Sequence, residues 1–236
     1  MSQQTVIPLF PLPLVVFPGQ TLPLHIFEDR YKQMVEDCGF EADGSIAEPS
    51  RPFGISLAHT RADAEPSSPS EQPVEEIGCS VVVARVARRY PDGRLDIITR
   101  AQRRYDMLDV FDDRPYMTAS VIFFEDEEAT VDAALSQAAG ERFGQLMELA
   151  GEADSDRDKE GGNGGGGGSD PGPDRGSFAM AANAGLDPPR KQRVLEMRSE
   201  NERLQFLIDH LDDVLPVLRN KVELQKRVKS NGHPRN

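Results

Sequence analysis

The apolar positions of the opening segment, IPLFPLPLVVFPGQTLPLHIFEDRYKQMV over residues 7–35, change period partway along. Prolines at 8, 11, 13 and 23 have no backbone N–H to give a ladder. The strands they interrupt are therefore expected to be edge-like, bent or broken rather than central in a flat sheet. After a Pro18-Gly19 turn, Leu22, Leu24 and Ile26 share one parity and Pro23 and His25 the other, which predicts a one-faced strand. From Glu28 the spacing lengthens. Tyr31, Met34, Val35 and Cys38 fall on one face of a short helix, with Glu28 and Asp29 at the end where a helix favours negative charge.

A second alternating stretch, IGCSVVVARVARRYPDGRLDIITRAQRRYDML over 77–108, reads as a hairpin turning at Pro91-Asp92-Gly93. It is followed by PYMTASVIFFEDE over 115–127. The period then becomes helical, with a loose stripe of Val131, Leu135, Ala138, Leu146 and Met147. Later, Asp187-Pro188 predicts an N-cap followed by proline at the first helical position. Ser199 and Glu202 have capping-box spacing and open a run of Leu204, Ile208, Leu211, Leu215, Leu218 and Val222. Pro216 lies inside that run and predicts a kink or a stop.

Between these periodic stretches the composition shifts. Residues 61–76 are rich in Ser, Pro and Glu and predict a long loop between two strands. Residues 151–176 hold ten glycines and almost no aliphatic side chains, too little apolar area to offset ordering, so a flexible linker is expected there. The expected organisation is a β part over 1–128, helices over 129–150 and 177–228, that linker between them, and a basic tail over 229–236. With 236 residues there is enough chain for one or two cores. The formal net charge of -13 argues against bulk binding to nucleic acid or an anionic membrane. No apolar run long enough to span a bilayer occurs, and the first residues lack a basic signal-peptide region, so a cytoplasmic location is expected. Cys38 and Cys79 are then expected to be buried thiols rather than a disulfide.

The order of these features, from the proline-rich opening through the central hairpin to SFAMAANAGLDPPRKQRVLEMRSENERLQFLIDHL over 177–211, resembles the substrate-binding N-terminal domain of Lon proteases. That resemblance implies a free-standing module of α+β class: a PUA-like bent sheet or pseudo-barrel with one short helix, followed by a helical bundle. It also implies non-catalytic recognition of protein or peptide substrates, with an ATP-dependent protease as a partner.

Chemistry in the sequence agrees with a non-enzymatic reading. No Gly-Lys pair exists to form a phosphate-binding loop, and the lysines lie in polar contexts unlike a Ser-Lys peptidase. Gly162, Gly164 and Gly167 fit a dinucleotide motif only because glycine fills the neighbourhood. His25, His59, His210 and His233 show no ligand spacing, so no metal and no cofactor is expected. The proline-rich opening suggests a protein-contact patch at Phe17, Pro18, Phe27 and Tyr31. An alternative is RNA contact through Arg88, Arg89, Arg103 and Arg104, because arginine interleaved with Tyr90 and Tyr105 suits single-stranded RNA. The plainer reading makes those arginines the solvated face of the hairpin.

Overall fold

A computed structural model describes residues 3–40, 50–59, 73–127, 130–157 and 176–231. Its elements in chain order are β1 (Gln4–Leu12), β2 (Thr21–Ile26), α1 (Asp29–Asp37), β3 (Phe53–Leu57), β4 (Ile77–Arg89), β5 (Leu95–Phe111) and β6 (Thr118–Phe124). Four helices follow: α2 (Ala133–Arg157), α3 (Ser177–Asn183), α4 (Pro188–Glu196) and α5 (Glu200–Asn231). This is the expected α+β order, strands around one short helix and then helices.

The sheet order is β2-β5-β4-β3-β1-β6, and an added β5–β6 pairing bends it into a closed ring. The length of β5 permits this. Leu95–Arg100 pairs with β2, Arg104–Phe111 pairs with β6, and β4 lies along the other edge. The hairpin between β4 and β5 turns at the expected place, with Gly93 at φ 83° and its N–H bonded to the Tyr90 carbonyl at 3.0 Å.

β1 shows how its prolines are accommodated. Gln4–Pro8 pairs with β6, whereas Leu9–Leu12 pairs with β3, so the strand changes partner halfway. The Leu9 N–H points to β6, bonding the Met117 carbonyl, and the Leu12 carbonyl points to β3, bonding the Ala58 N–H. Backbone groups alternate between the two edges of a strand, so odd positions face β6 and even positions face β3. The missing donor of Pro8 therefore faces the β3 side before β3 begins. That of Pro11 faces the β6 side after β6 has ended. Each proline loses a bond that had no partner.

Two cores result. Ile7, Leu9, Tyr105, Met107, Met117, Ala119 and Val121 fill the ring. Tyr105 crosses it, its hydroxyl 2.9 Å from Ser56 Oγ, and a Cβ on Gly54 or Gly78 would come within 2.5 or 2.3 Å of that hydroxyl. The larger core joins the other sheet face to α1 and to the bundle, from Phe10 and Ile55 to Leu195, Leu204 and Leu211. Tyr31, Met34, Val35 and Cys38 are buried as one face of α1 and its end, as their spacing predicts.

The helical part departs from expectation in three places. α2 continues through Gly151 to Arg157, so the helix runs into the stretch expected to be a linker; residues 158–175 lie outside the described residues. A single glycine weakens a helix interior by only about 1 kcal/mol, too little to end it. Val131 and Met147 are exposed, and the buried positions of that segment are Ala139 and Leu146. α5 continues through Pro216 to Asn231, so of the kink or stop expected there the stop is excluded. Proline there costs about 3 kcal/mol, which burial of Leu204, Leu207, Leu211 and Leu215 on the preceding turns offsets. The predicted caps are present: Asp187 accepts from the Arg190 N–H at 2.9 Å and Ser199 from the Glu202 N–H at 3.5 Å. Most of the predicted 61–76 loop lies outside the described residues, although Val74 bridges back to Ala58.

Candidate protein-binding surface

Because the β1–β3 ladder begins only at Leu9 and Gly54, the first half of β1 keeps one open edge. Pro52 has no donor with which to extend the ladder downward. The two chains separate, and a cleft of about 290 Å³ opens between Thr5, Val6, Ile7 and Pro8 on one side and Arg51 and Pro52 on the other. Cys38 and Tyr116 form its apolar floor, and Val6 on its rim is 61% exposed.

The polar end of the cleft is built from α1 and the β5–β6 connection. Asp37, the last residue of α1, accepts from Arg114 Nη1 at 2.7 Å and from the Tyr116 hydroxyl. The Tyr116 bond, with Gln33 and Arg114, holds the Asp37 carboxyl below the usual carboxylate range. Burial and the Asp37 bond push the Tyr116 phenol up to about 12, so it stays a donor at physiological pH. Among the described residues no carboxylate pairs with Arg51. Two arginines thus face one aspartate, a local positive balance on a protein of charge -13. Burial pushes the Cys38 and Cys79 thiols up to about 12, so both are inert and protonated rather than nucleophilic.

The contact residues expected from the opening segment are not brought together. Phe17 is buried beneath α3, its ring stacked 5.5 Å from Phe178, and Tyr31 packs 4.1 Å from Phe10. Neither is a surface contact, because both were needed to seal the larger core. Pro18 is half-buried where the sheet meets the bundle. Phe27 alone is well exposed, at the end of β2, with its ring 6.0 Å from His25. His25 lies on the outward parity as predicted, and Asp96 binds its Nδ1 at 2.6 Å.

The four arginines of the RNA alternative are likewise separated. Arg88 lies over the Tyr90 ring and Arg89 over Phe40, while Arg103 pairs with Glu125 at 2.8 Å above Phe123. Arg104 is 3% exposed and points the other way. A β-bulge causes this: between the pairs Cys79↔Arg104 and Val81↔Ala101, two residues of β5, Gln102 and Arg103, oppose Ser80 alone on β4, which flips the parity of β5. Ser80 pins the bulge, its hydroxyl donating to the Arg103 carbonyl at 3.0 Å and accepting from the Arg103 N–H at 3.2 Å.

Arg104 instead anchors a buried polar network that periodicity does not reveal. It donates to the Leu195 carbonyl at 2.9 Å, the Met197 carbonyl at 2.5 Å and the Asp126 carboxylate. Arg203 of α5, 1% exposed, reaches Asp126 Oδ1 at 2.8 Å, Glu200 at 2.6 Å and Ser177 Oγ at 2.8 Å. Phe178 lies against both guanidinium groups, 5.2 Å from Arg104 and 4.3 Å from Arg203. Desolvation raises the Asp126 pKa, but the bonds and charges of Arg203 and Arg104 outweigh it and leave the carboxyl below its ordinary range. The network fastens barrel to bundle. No sequence signal marks it: Asp126 lies in the acidic run over 125–128, and Glu200 and Arg203 lie among the polar residues 198–203.

Among the described residues no group of three or more His, Cys, Asp or Glu is placed to hold a metal, and no helix is long and apolar enough to cross a membrane. Comparison with solved structures finds the same fold in "Crystal Structure of Lon N-terminal domain protein from Xanthomonas campestris", with a TM-score of 0.56, 22% identity and coverage of 87% of this chain and 98% of that one. It also finds "N terminal domain of Mycobacterium avium complex Lon protease", with a TM-score of 0.52, 18% identity and coverage of 89% and 99%. Among curated sequences, Lon protease of Flavobacterium johnsoniae is 30% identical over 118 residues, which is 49% of this chain and 13% of that protein. Lon protease of Lawsonia intracellularis is 25% identical over 224 residues, 93% of this chain and 25% of that protein. The chain thus spans a quarter or less of the length of these two relatives. The family described as "ATP-dependent protease La (LON) substrate-binding domain" matches residues 6–213, and this chain belongs to it.

Proposed function

We infer that the protein is a non-catalytic recognition module for protein substrates, binding unfolded or apolar segments in the cytoplasm and acting as an adaptor or scaffold for ATP-dependent proteolysis. The observation that carries this reading is an open strand edge beside an apolar cleft, on a chain whose family is defined by substrate binding. An unfolded polypeptide supplies the backbone groups such an edge lacks and the side chains such a cleft desolvates. Exposed Val6, Phe27, Leu108 and Phe111 add apolar area to the barrel surface.

The test is capture of reduced, carboxymethylated lactalbumin against its native, disulfide-bonded form by the immobilised full chain. The unfolded form is expected to bind at least tenfold better, with little loss on raising salt. Equal capture of both forms, or none, would remove the reading. Addition of the chain to a Lon-type protease is expected to change the degradation rate of the same unfolded substrate, and an unchanged rate would remove the adaptor role.

A further inference from the structure

The geometry points to a specific occupant of the β1 cleft: the carboxylate end of an extended peptide, which adds as a strand to Gln4–Pro8 and places its carboxylate on Arg51 and Arg114. This rests on the substrate-recognition reading above and names the class of segment recognised.

The first part of the argument is backbone direction. Even positions of β1 face the side that β3 occupies further along, as the Leu12 carbonyl bond to Ala58 shows. Both the N–H and the C=O of Val6 therefore point into the cleft, where the β3 ladder has not yet begun. Pro8, the next even position, has no donor, so Val6 is the donor nearest the ladder's end. An added strand takes the place that β3 vacates before Phe53, and the exposed Val6 side chain is left to cover it.

The second part is charge. Arg51 and Arg114 line the same cleft, together with the buried Cys38. Arg114 is held in place by Asp37 and by the Tyr116 hydroxyl at 3.1 Å, so it is preorganised for a further acceptor. Asp37 neutralises one of the two positive charges and leaves one for a ligand. Guanidinium groups bind carboxylates with geometric specificity, and a site between apolar walls strengthens that attraction. An apolar peptide lacking a carboxylate leaves Arg51 unanswered, and a basic peptide is repelled. The chemistry thus selects an apolar segment with a carboxylate at one end.

A fluorescein-labelled hexapeptide of sequence Gly-Ser-Val-Thr-Val-Leu with a free C-terminus, titrated by fluorescence anisotropy against the full chain, tests this. A second arm uses the C-terminal amide, and a third an amide whose last residue is glutamate, which separates a main-chain carboxylate from a side-chain one. Amidation is expected to weaken binding at least tenfold, with the glutamate arm restoring part of it. Arg51→Gln is expected to match the amide's loss on the free-acid peptide and to leave the amide's own affinity unchanged. Val6→Pro removes the cleft-facing donor while sparing the β6 ladder, and is expected to weaken all arms alike. Equal binding of acid and amide, or indifference to both substitutions, would overturn the proposal. Self-association of the chain that Val6→Pro abolishes would assign the edge to a second copy and overturn it too. If the peptide fails but unfolded lactalbumin is still captured, this inference falls and the recognition reading stands; if both fail, both fall.

Discussion

Tyr105 owes its position to residues that have no side chain. Its hydroxyl occupies space that a Cβ at Gly54 or Gly78 would invade, and it is anchored on Ser56. Gly78→Ala is expected to lower stability by about 2 kcal/mol through overpacking, because the backbone carbonyl of Ile55 blocks escape on the other side. Tyr105→Phe is expected to cost about 1 kcal/mol by leaving the Ser56 hydroxyl without its partner. It should also make Gly78→Ala more tolerable. Urea midpoints of the two single variants and the double variant check both statements, and simple additivity would show that the contact is not shared. Arg203 is the second decisive side chain. Arg203→Met is expected to lose roughly 3 kcal/mol, at the low end for a broken buried pair, because Asp126 retains some water.

The elements carry their own consequences. Pro216 interrupts α5 without ending it, and its ring is exposed, so Pro216→Ala restores a donor to the Asp212 carbonyl at no cost in packing. A gain of about 1–3 kcal/mol in a thermal or urea melt is expected. No gain would mean that the turn around Pro216 is already relaxed. In β5, the Ser80 hydroxyl supports the bulge that turns Arg104 toward the helices. Ser80→Ala leaves the Arg103 backbone donor unpaired, so a loss of about 1–2 kcal/mol is expected. It should also bring faster amide exchange at Arg103 than at Ala101, and uniform exchange would sink that account.

At the scale of the whole molecule, barrel and bundle share one apolar core and one charged network, so they are expected to unfold together. Far-ultraviolet circular dichroism reports the helices and tyrosine fluorescence the barrel. The two transitions should coincide in the wild-type chain and separate in Arg203→Met. Acid should act on the same joint. Asp126 and Asp37 both have folded-state pKa values below the ordinary carboxylate, Asp126 through its arginines against desolvation and Asp37 chiefly through Tyr116. The unfolded chain therefore takes up protons first as pH falls below about 4. Stability from both groups is complete above that pH and lost beneath it. Asp126→Asn should be less stable at pH 7 and show a flatter decline between pH 5 and 3 than wild type; parallel curves would exclude Asp126 as the titrating group.

Periodicity along the chain was sufficient for the helix at Tyr31–Cys38, the Pro91-Gly93 hairpin, the caps at Asp187 and Ser199, and the α+β order, because each depends on residues close in sequence. The burial of Phe17 and the inward turn of Arg104 were not legible, and spacing left open whether α5 stops at Pro216. Each depends on what a distant segment places opposite: α3 over Phe17, Ser80 of β4 against the β5 bulge, α2 against α5. The cleft belongs to the second kind as well. Val6 and Arg51 carry no motif, and they face each other only because β1 changes partner at Leu9 while Pro52 keeps β3 from following it. Local spacing determined which elements form; closure of the ring, a long-range pairing, decided which side chains remain outside to meet another molecule.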